Sequence, residues 1–334
     1  MSRLQASRGF TLVELMVSLV LGLVVVGGVI SVLIANKSSY RTNEGLSQIQ
    51  ESARTAFELL ARDARQAGGT GCDNARRMSN VLNASTPWYR NWASIQGFDS
   101  TDTAVTTGTG VGERVTGTDT LHMHGIEGGG YPVLTHTAGT GTIVLNVTGA
   151  TLAANDLLMI CDFDHAAIFQ AATYTPGTFT ITYTSGAGSP GNCTTGLAYP
   201  TPTPCSGATN YVFPRNSTVG RLQAVTWYIG NNGRAADGGR SLYRIRLGAG
   251  GVPVTEEVVA GVTDMQVQYG TNGSDTISDA GSIVGTAAWA GVNSVFITLT
   301  ISSTDARIST DAATNTGRLS KTFTYLVTLR NRVP

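Results

Sequence analysis

The chain has 334 residues, 22 Lys+Arg balanced by 22 Asp+Glu, only 13% charged residues and 41 glycines. This length exceeds the usual single domain and is read as a stalk plus one or two β-rich subdomains. The zero net charge gives no sign of a basic nucleic-acid surface, and the absence of G-x-S-x-G, P-loop and H-E-x-x-H patterns leaves an enzymatic role or a cofactor without support.

Residues 1–9 form a short leader with Arg3 and Arg8 and no acidic residue. Residues 15–35 hold no charge and no proline; as a helix rising about 1.5 Å per residue they would span roughly 30 Å, the hydrocarbon thickness of a bilayer. The basic leader predicts a cytoplasmic N-terminus and export of everything after Lys37. A secretory signal peptide has its small-residue cleavage site after the apolar core. Here the small residue, Gly9, precedes the core, so cutting there keeps the helix. Glu14 stands at the mouth of the span, where an ionisable group costs a few kcal/mol by insertion scales. A partner charge in an apolar filament core would offset that cost; the alternative is a carboxylate at the cytoplasmic interface with no specific partner.

The run Arg8-Gly9-Phe10-Thr11-Leu12-Val13-Glu14-Leu15 ahead of the apolar helix resembles the class III signal of type IV prepilins and type II secretion pseudopilins. The resemblance implies cleavage between Gly9 and Phe10 by an inner-membrane prepilin peptidase, N-methylation of Phe10, and an assembly role in which Glu14 meets the terminal amine of a neighbouring subunit.

Past the span, Leu46, Ile49, Ala53, Phe57, Leu60, Ala64 and Ala67 recur every three or four residues, with Glu51, Arg54, Glu58, Arg62, Asp63 and Arg65 on the other faces. This predicts an amphipathic continuation of the helix, stopped by Gly68-Gly69 and weakened locally at Gly22, Gly27, Gly28 and Gly45. The expected fold is α+β, a lollipop whose long helix packs on antiparallel sheet. Its segments are a leader at 1–9, a transmembrane helix at 10–35, the amphipathic continuation at 36–69, a β-rich insertion at 70–217 and a C-terminal sheet at 218–334.

Cys72, Cys161, Cys193 and Cys205 all follow the span, and an even count in an oxidising compartment predicts two disulfides. Of three pairings, Cys193 with Cys205 closes a short Pro/Gly-rich loop and leaves Cys72 with Cys161. Such a short closure is worth about 3 kcal/mol in the chain-entropy picture. No C-x-x-C pair supports the competing zinc site.

After Cys72 the period changes to two. Strands are expected at 118–124, 141–147, 156–161, 167–171 and 178–183, then at 221–229, 241–247, 262–269, 292–302 and 321–330. Asn231-Asn232-Gly233 and Asp237-Gly238-Gly239 mark the turn region of a hairpin joining the sixth and seventh. Trp227-Tyr228-Ile229, Ser241-Leu242-Tyr243-Arg244, the run 258–270 and the closing 323–332 resemble the PilW family of type IV pilus minor pilins. The match is weaker between Asp73 and Ser217, and the late strand order is also similar to J-type minor pseudopilins of type II secretion. The resemblance implies a membrane-anchored structural subunit that primes or caps the pilus, with its exported part in the periplasm. Its implied partners are other minor pilins, the major pilin, the prepilin peptidase and the inner-membrane assembly platform. A pseudopilin role, or an adhesive module displayed at the pilus tip, is the alternative.

Other chemistry is sparse. His122 and His124 share one strand face, and Cys161-Asp162-Phe163-Asp164-His165 gathers donors, but a third metal ligand is not located. Asn272-Gly273-Ser274-Asp275 with Asp279, and the loop 231–237, are oxygen-rich without EF-hand spacing and are read as turns. Trp88, Tyr89 and Trp92 are read as a loop packed down by its own aromatics, with an exposed contact for a partner or glycan as the alternative.

Overall fold

The computed structural model describes residues 11–70, 72, 77–83, 87–99, 101–102, 104–186, 188–201, 205, 209–309 and 315–332. The first element is a single helix, α1 (Leu12–Gln66), of 55 residues, roughly 80 Å long at the standard rise. Nothing in it forces a break: it contains no proline, and its glycines are dispersed or face open space. It ends where Ala67 turns extended and Gly68 takes φ +74°, a conformation that favours glycine.

The C-terminal half of α1 buries Ile49, Ala53, Ala56, Phe57, Leu60, Ala61 and Ala64. Two expectations are corrected here. Leu46 is 37% exposed, because the contact at that turn is made by Gly45, whose missing Cβ would lie 3.2 Å from Ile308 and 3.4 Å from Leu319. Asp63, expected on the solvent side, is only 4% exposed, because partners on the sheet receive its carboxylate.

The strands follow in order: β1 (Met78–Asn80), β2 (Ile95–Phe98), β3 (Thr120–Ile126), β4 (Tyr131–Thr137), β5 (Thr142–Leu145), β6 (Leu157–Cys161), β7 (Ala166–Gln170), β8 (Thr173–Thr175) and β9 (Thr180–Thr182). The later part holds β10 (Thr218–Asn231), β11 (Arg240–Leu247), β12 (Pro253–Ala260), β13 (Val262–Thr271), β14 (Ile277–Asp279), a short helix α2 (Thr286–Ala290), β15 (Val292–Ser302) and β16 (Ser320–Thr328). The molecule is thus α+β, a long apolar helix followed by a large β-rich head.

Twelve strands join one branched sheet whose spine is β10. Its first residues pair with β6 and β4, its middle with β3, and its end with β11. The β10–β11 hairpin closes through Gly233, Gly238 and Gly239, all at positive φ. The other four strands form an antiparallel sheet in the order β14-β13-β15-β16. One core, including Phe57, Leu60, Leu121, Trp227, Met265, Tyr269 and Leu299, is shared by α1 and both sheets. A second, including Val133, Ile160, Phe169, Tyr183 and Phe213, lies within the middle region.

The stalk lies along β16. Gly45 meets Leu319, Phe57 stacks on Tyr325 with centroids 3.8 Å apart, and the Asn331 side chain donates to the carbonyls of Arg65 and Ala67 at 3.5 and 3.4 Å. Helix and final strand therefore run in the same direction.

Candidate functional site

From Leu12 to Ile34 the large apolar side chains of α1 are exposed and, among the described residues, are buried against nothing. It is one helix long and apolar enough to cross a membrane. Its start is capped by Thr11, whose Oγ1 accepts from the Glu14 backbone N–H at 3.3 Å. Glu14 lies in the first turn, exposed, where the helix dipole favours an anion. Gly9 and Phe10, the expected cleavage pair, lie outside the described residues. The hydroxyls of Ser18 and Ser31 donate to the carbonyls of Leu15 and Gly28 at 2.9 and 2.8 Å. Both polar groups are thus satisfied within the helix, as lipid requires. Gly22, Gly27 and Gly28 face open space, so among the described residues nothing in the subunit itself uses their smallness.

At the head end, Asp63 projects from α1 into the shared core. Its Oδ2 accepts from Trp227 Nε1 at 3.1 Å and lies 3.6 Å from the Arg244 guanidinium. Arg244 also stacks over the Trp227 ring at 5.4 Å and bonds Glu256 at 2.7 Å. Burial raises the Asp63 pKa, opposed by Arg244 and the indole N–H. Sequence reading missed this junction because the helical period marked Asp63 as outward; the available signal was a lone acid inside a face otherwise rich in alanine.

The four cysteines pair as Cys72 with Cys161 and Cys193 with Cys205, at Cα separations of 6.0 and 5.8 Å. The first joins the chain just past the stalk to the end of β6; the second closes the short loop.

His122 and His124 are buried on β3. His122 Nε2 lies 2.8 Å from Asp102, and the ring nitrogens of His124 face the carbonyls of Ala93 and Trp88 at 2.6 and 2.9 Å. Burial, reinforced by neighbouring His122, pushes His124 down to about 4. Trp88 and Trp92 pack against these imidazoles, so the aromatic loop is folded onto the head. Asp162 accepts from the backbone N–H groups of Asp164 and His165 and from the Tyr211 hydroxyl at 2.6 Å. Asn272 accepts from Asn293, and Asp279 from Gln268. In the loop 231–237, Asp237 pairs with Arg234. These oxygens serve turns and ion pairs, and no cluster of three potential metal ligands occurs among the described residues.

A cleft of about 1050 Å³ opens between β2 and the segment 280–291, walled by Trp92, Phe98, Ile283, Val284 and Trp289 with Asp99 at one side. Asp99 is engaged: its carboxylate accepts the backbone N–H groups of Ala280 and Gly281 at 3.2 and 2.8 Å.

Residues 4–30 match the family model of the prokaryotic N-terminal methylation motif, and residues 226–331 match that of type IV pilus-assembly protein W, PilW. No match was found among curated proteins or among solved structures. The two family matches fall on the stalk start and on the strands that receive the stalk, and together they support a type IV pilus minor pilin, a structural pilus component.

Proposed function

We propose that this chain is a minor pilin that primes or caps type IV pilus assembly, held in the inner membrane by α1 with its head in the periplasm. The observation that carries the reading is the unbroken passage from an N-terminal methylation motif, through a bare apolar helix, into a PilW-like head. Among the described residues of the subunit nothing covers the first half of α1. In lipid that surface is at no disadvantage, and in a filament it packs against the equivalent helices of other pilins, where Gly22, Gly27 and Gly28 allow close approach. Glu14 would then set axial register by meeting a neighbour's terminal amine. The partners are other minor pilins, the major pilin, the prepilin peptidase and the assembly platform; residues 70–217 act as an enlarged connection between stalk and final sheet.

Mass spectrometry of the N-terminal peptide tests this. Mature protein should begin at N-methylated Phe10, and a bulky substitution of Gly9 should strand precursor in the membrane. Retention of residues 1–9 in piliated cells would sink the assignment.

A further inference from the structure

A sheet edge leaves a row of backbone N–H and C=O groups unpaired, a template for another chain. Most edges of this molecule are guarded. β12 opens on Pro253, is bulged against β11 at Leu242/Tyr243, and carries Glu256 and Glu257 in ion pairs with Arg244, Arg246 and Arg234. β1, β8 and β14 are three residues each, and β2, of four, is flanked by α2 and the 280–282 turn.

β16, packed by the stalk on its Tyr325 face, has no such protection along its outer side. It runs nine residues in unbroken register with β15, contains no proline, and bears a single charge, Lys321. The bonds Ser303 N–H to Leu319 C=O and Leu329 N–H to Asn293 C=O set its phase. Odd-numbered residues therefore exchange hydrogen bonds with β15, and the backbone groups of Ser320, Thr322, Thr324, Leu326 and Thr328 point to the open side. Among the described residues nothing pairs with them. Apolar surface flanks this edge on both faces, with Tyr325 48% exposed beside the stalk and Leu326 57% exposed opposite. On the Leu326 face, hydroxyl pairs Thr298–Thr324 at 2.9 Å and Thr300–Thr322 at 3.1 Å form a row that ends at the edge.

We propose that β16 is a docking edge for a strand of another pilin subunit anchored in the same membrane; this rests on the reading of the chain as a pilin. The direction of the stalk selects the partner. Because α1 and β16 run the same way, two-fold antiparallel pairing of β16 with a second copy would point the two stalks in opposite directions, and one bilayer cannot receive both. A partner strand that descends toward the membrane pairs antiparallel with β16 while keeping the stalks parallel. The fitting strand carries hydroxyl or β-branched residues on the threonine face and an apolar residue beside Tyr325.

The test uses the full-length chain in detergent, free and after co-expression with its companion pilins, with hydrogen exchange resolved to single amides. In the free chain the amides of Phe323, Tyr325 and Val327 should already be slow. On complex formation those of Thr322, Thr324 and Leu326 should slow by about 100-fold, the scale of a newly closed ladder. Thr324→Pro deletes one outward N–H without touching the β15 ladder, a position where edge strands tolerate proline. It should cut pilin capture by about tenfold, the equivalent of one hydrogen-bond-sized loss, while Thr324→Val captures normally. Capture with no new protection at those amides, or undiminished capture by Thr324→Pro, overturns the docking edge and leaves the pilin reading intact. A homodimer joined through β16 overturns the partner named here, and failure of the unaltered chain to capture any pilin overturns both readings.

Discussion

At the scale of single residues, the stalk is fastened to the head by a few side chains that the helical period does not reveal. Asp63 sits among apolar neighbours, yet it supplies the acceptor for the buried Trp227 indole and faces Arg244. Removing one member of such a buried set leaves the others uncompensated, at a cost of about 3 kcal/mol. Asp63→Ala should therefore lower the denaturant midpoint strongly. Asp63→Asn keeps an acceptor for the indole and should cost about 1 kcal/mol. Equal effects of the two variants would show that the indole bond contributes little. Gly45 is fixed by a different constraint: Ile308 and Leu319 occupy the space a side chain would need.

Between elements, the two sheets meet through the turn that leads into β3. The Asp119 N–H donates to Met265 C=O at 2.9 Å, and its carboxylate accepts from Val267 N–H at 2.7 Å, so this residue borders β13 where β14 does not reach. Burial pushes its pKa up to about 6. A raised carboxyl pKa means the folded state holds the proton more firmly. The contribution is thus present below the ordinary carboxyl range near 4 and is lost as pH rises through about 6, amounting to roughly 3 kcal/mol at most. His124 and His136, both depressed to about 4 by burial, act with the opposite sign, losing stability as pH falls. The difference between Asp119→Asn and the unaltered chain isolates the carboxyl: the variant should gain on the parent between pH 4 and pH 7, read by thermal unfolding in detergent, and a pH-independent difference would refute the assignment. The sequence made the stronger strands legible, since β10, β11, β13 and β15 alternate or carry β-branched runs near the positions expected. It hid β4 and β12, where Pro132 and Pro253 with an adjacent Glu256-Glu257 pair resemble loop, and it hid β2, whose Gly97 is required because a Cβ would fall 1.8 Å from the Tyr269 hydroxyl. Those strands are held by long-range pairing, which local periodicity does not encode.

For the molecule as a whole, stalk and head divide the work: the first half of α1 has no internal partner among the described residues, and the second half is built into both sheets. Glu14→Ala should accordingly leave insertion and head folding intact while weakening docking. A loss of about 1.4 kcal/mol would lower the number of pili started by about tenfold. Membrane fractionation should show normal levels of processed subunit, and normal pilus numbers would assign Glu14 to the membrane interface without a docking role. The membrane anchor and its motif were legible because apolarity and contiguous residues are local properties; the shared spine β10 was not, because its neighbours come from distant parts of the chain. The Cys72–Cys161 bond has a mechanical consequence. It spans 89 residues of sequence and joins the chain just beyond the stalk to the end of β6, which is laddered to β10. Tension entering through α1 crosses that covalent shunt into the spine of the large sheet, and the segment between the two cysteines, with β1 to β5, cannot be drawn out while the bond stands. A pull transmitted along the chain past α1 therefore reaches the strand ladders around β10 without passing through the loops between these two cysteines.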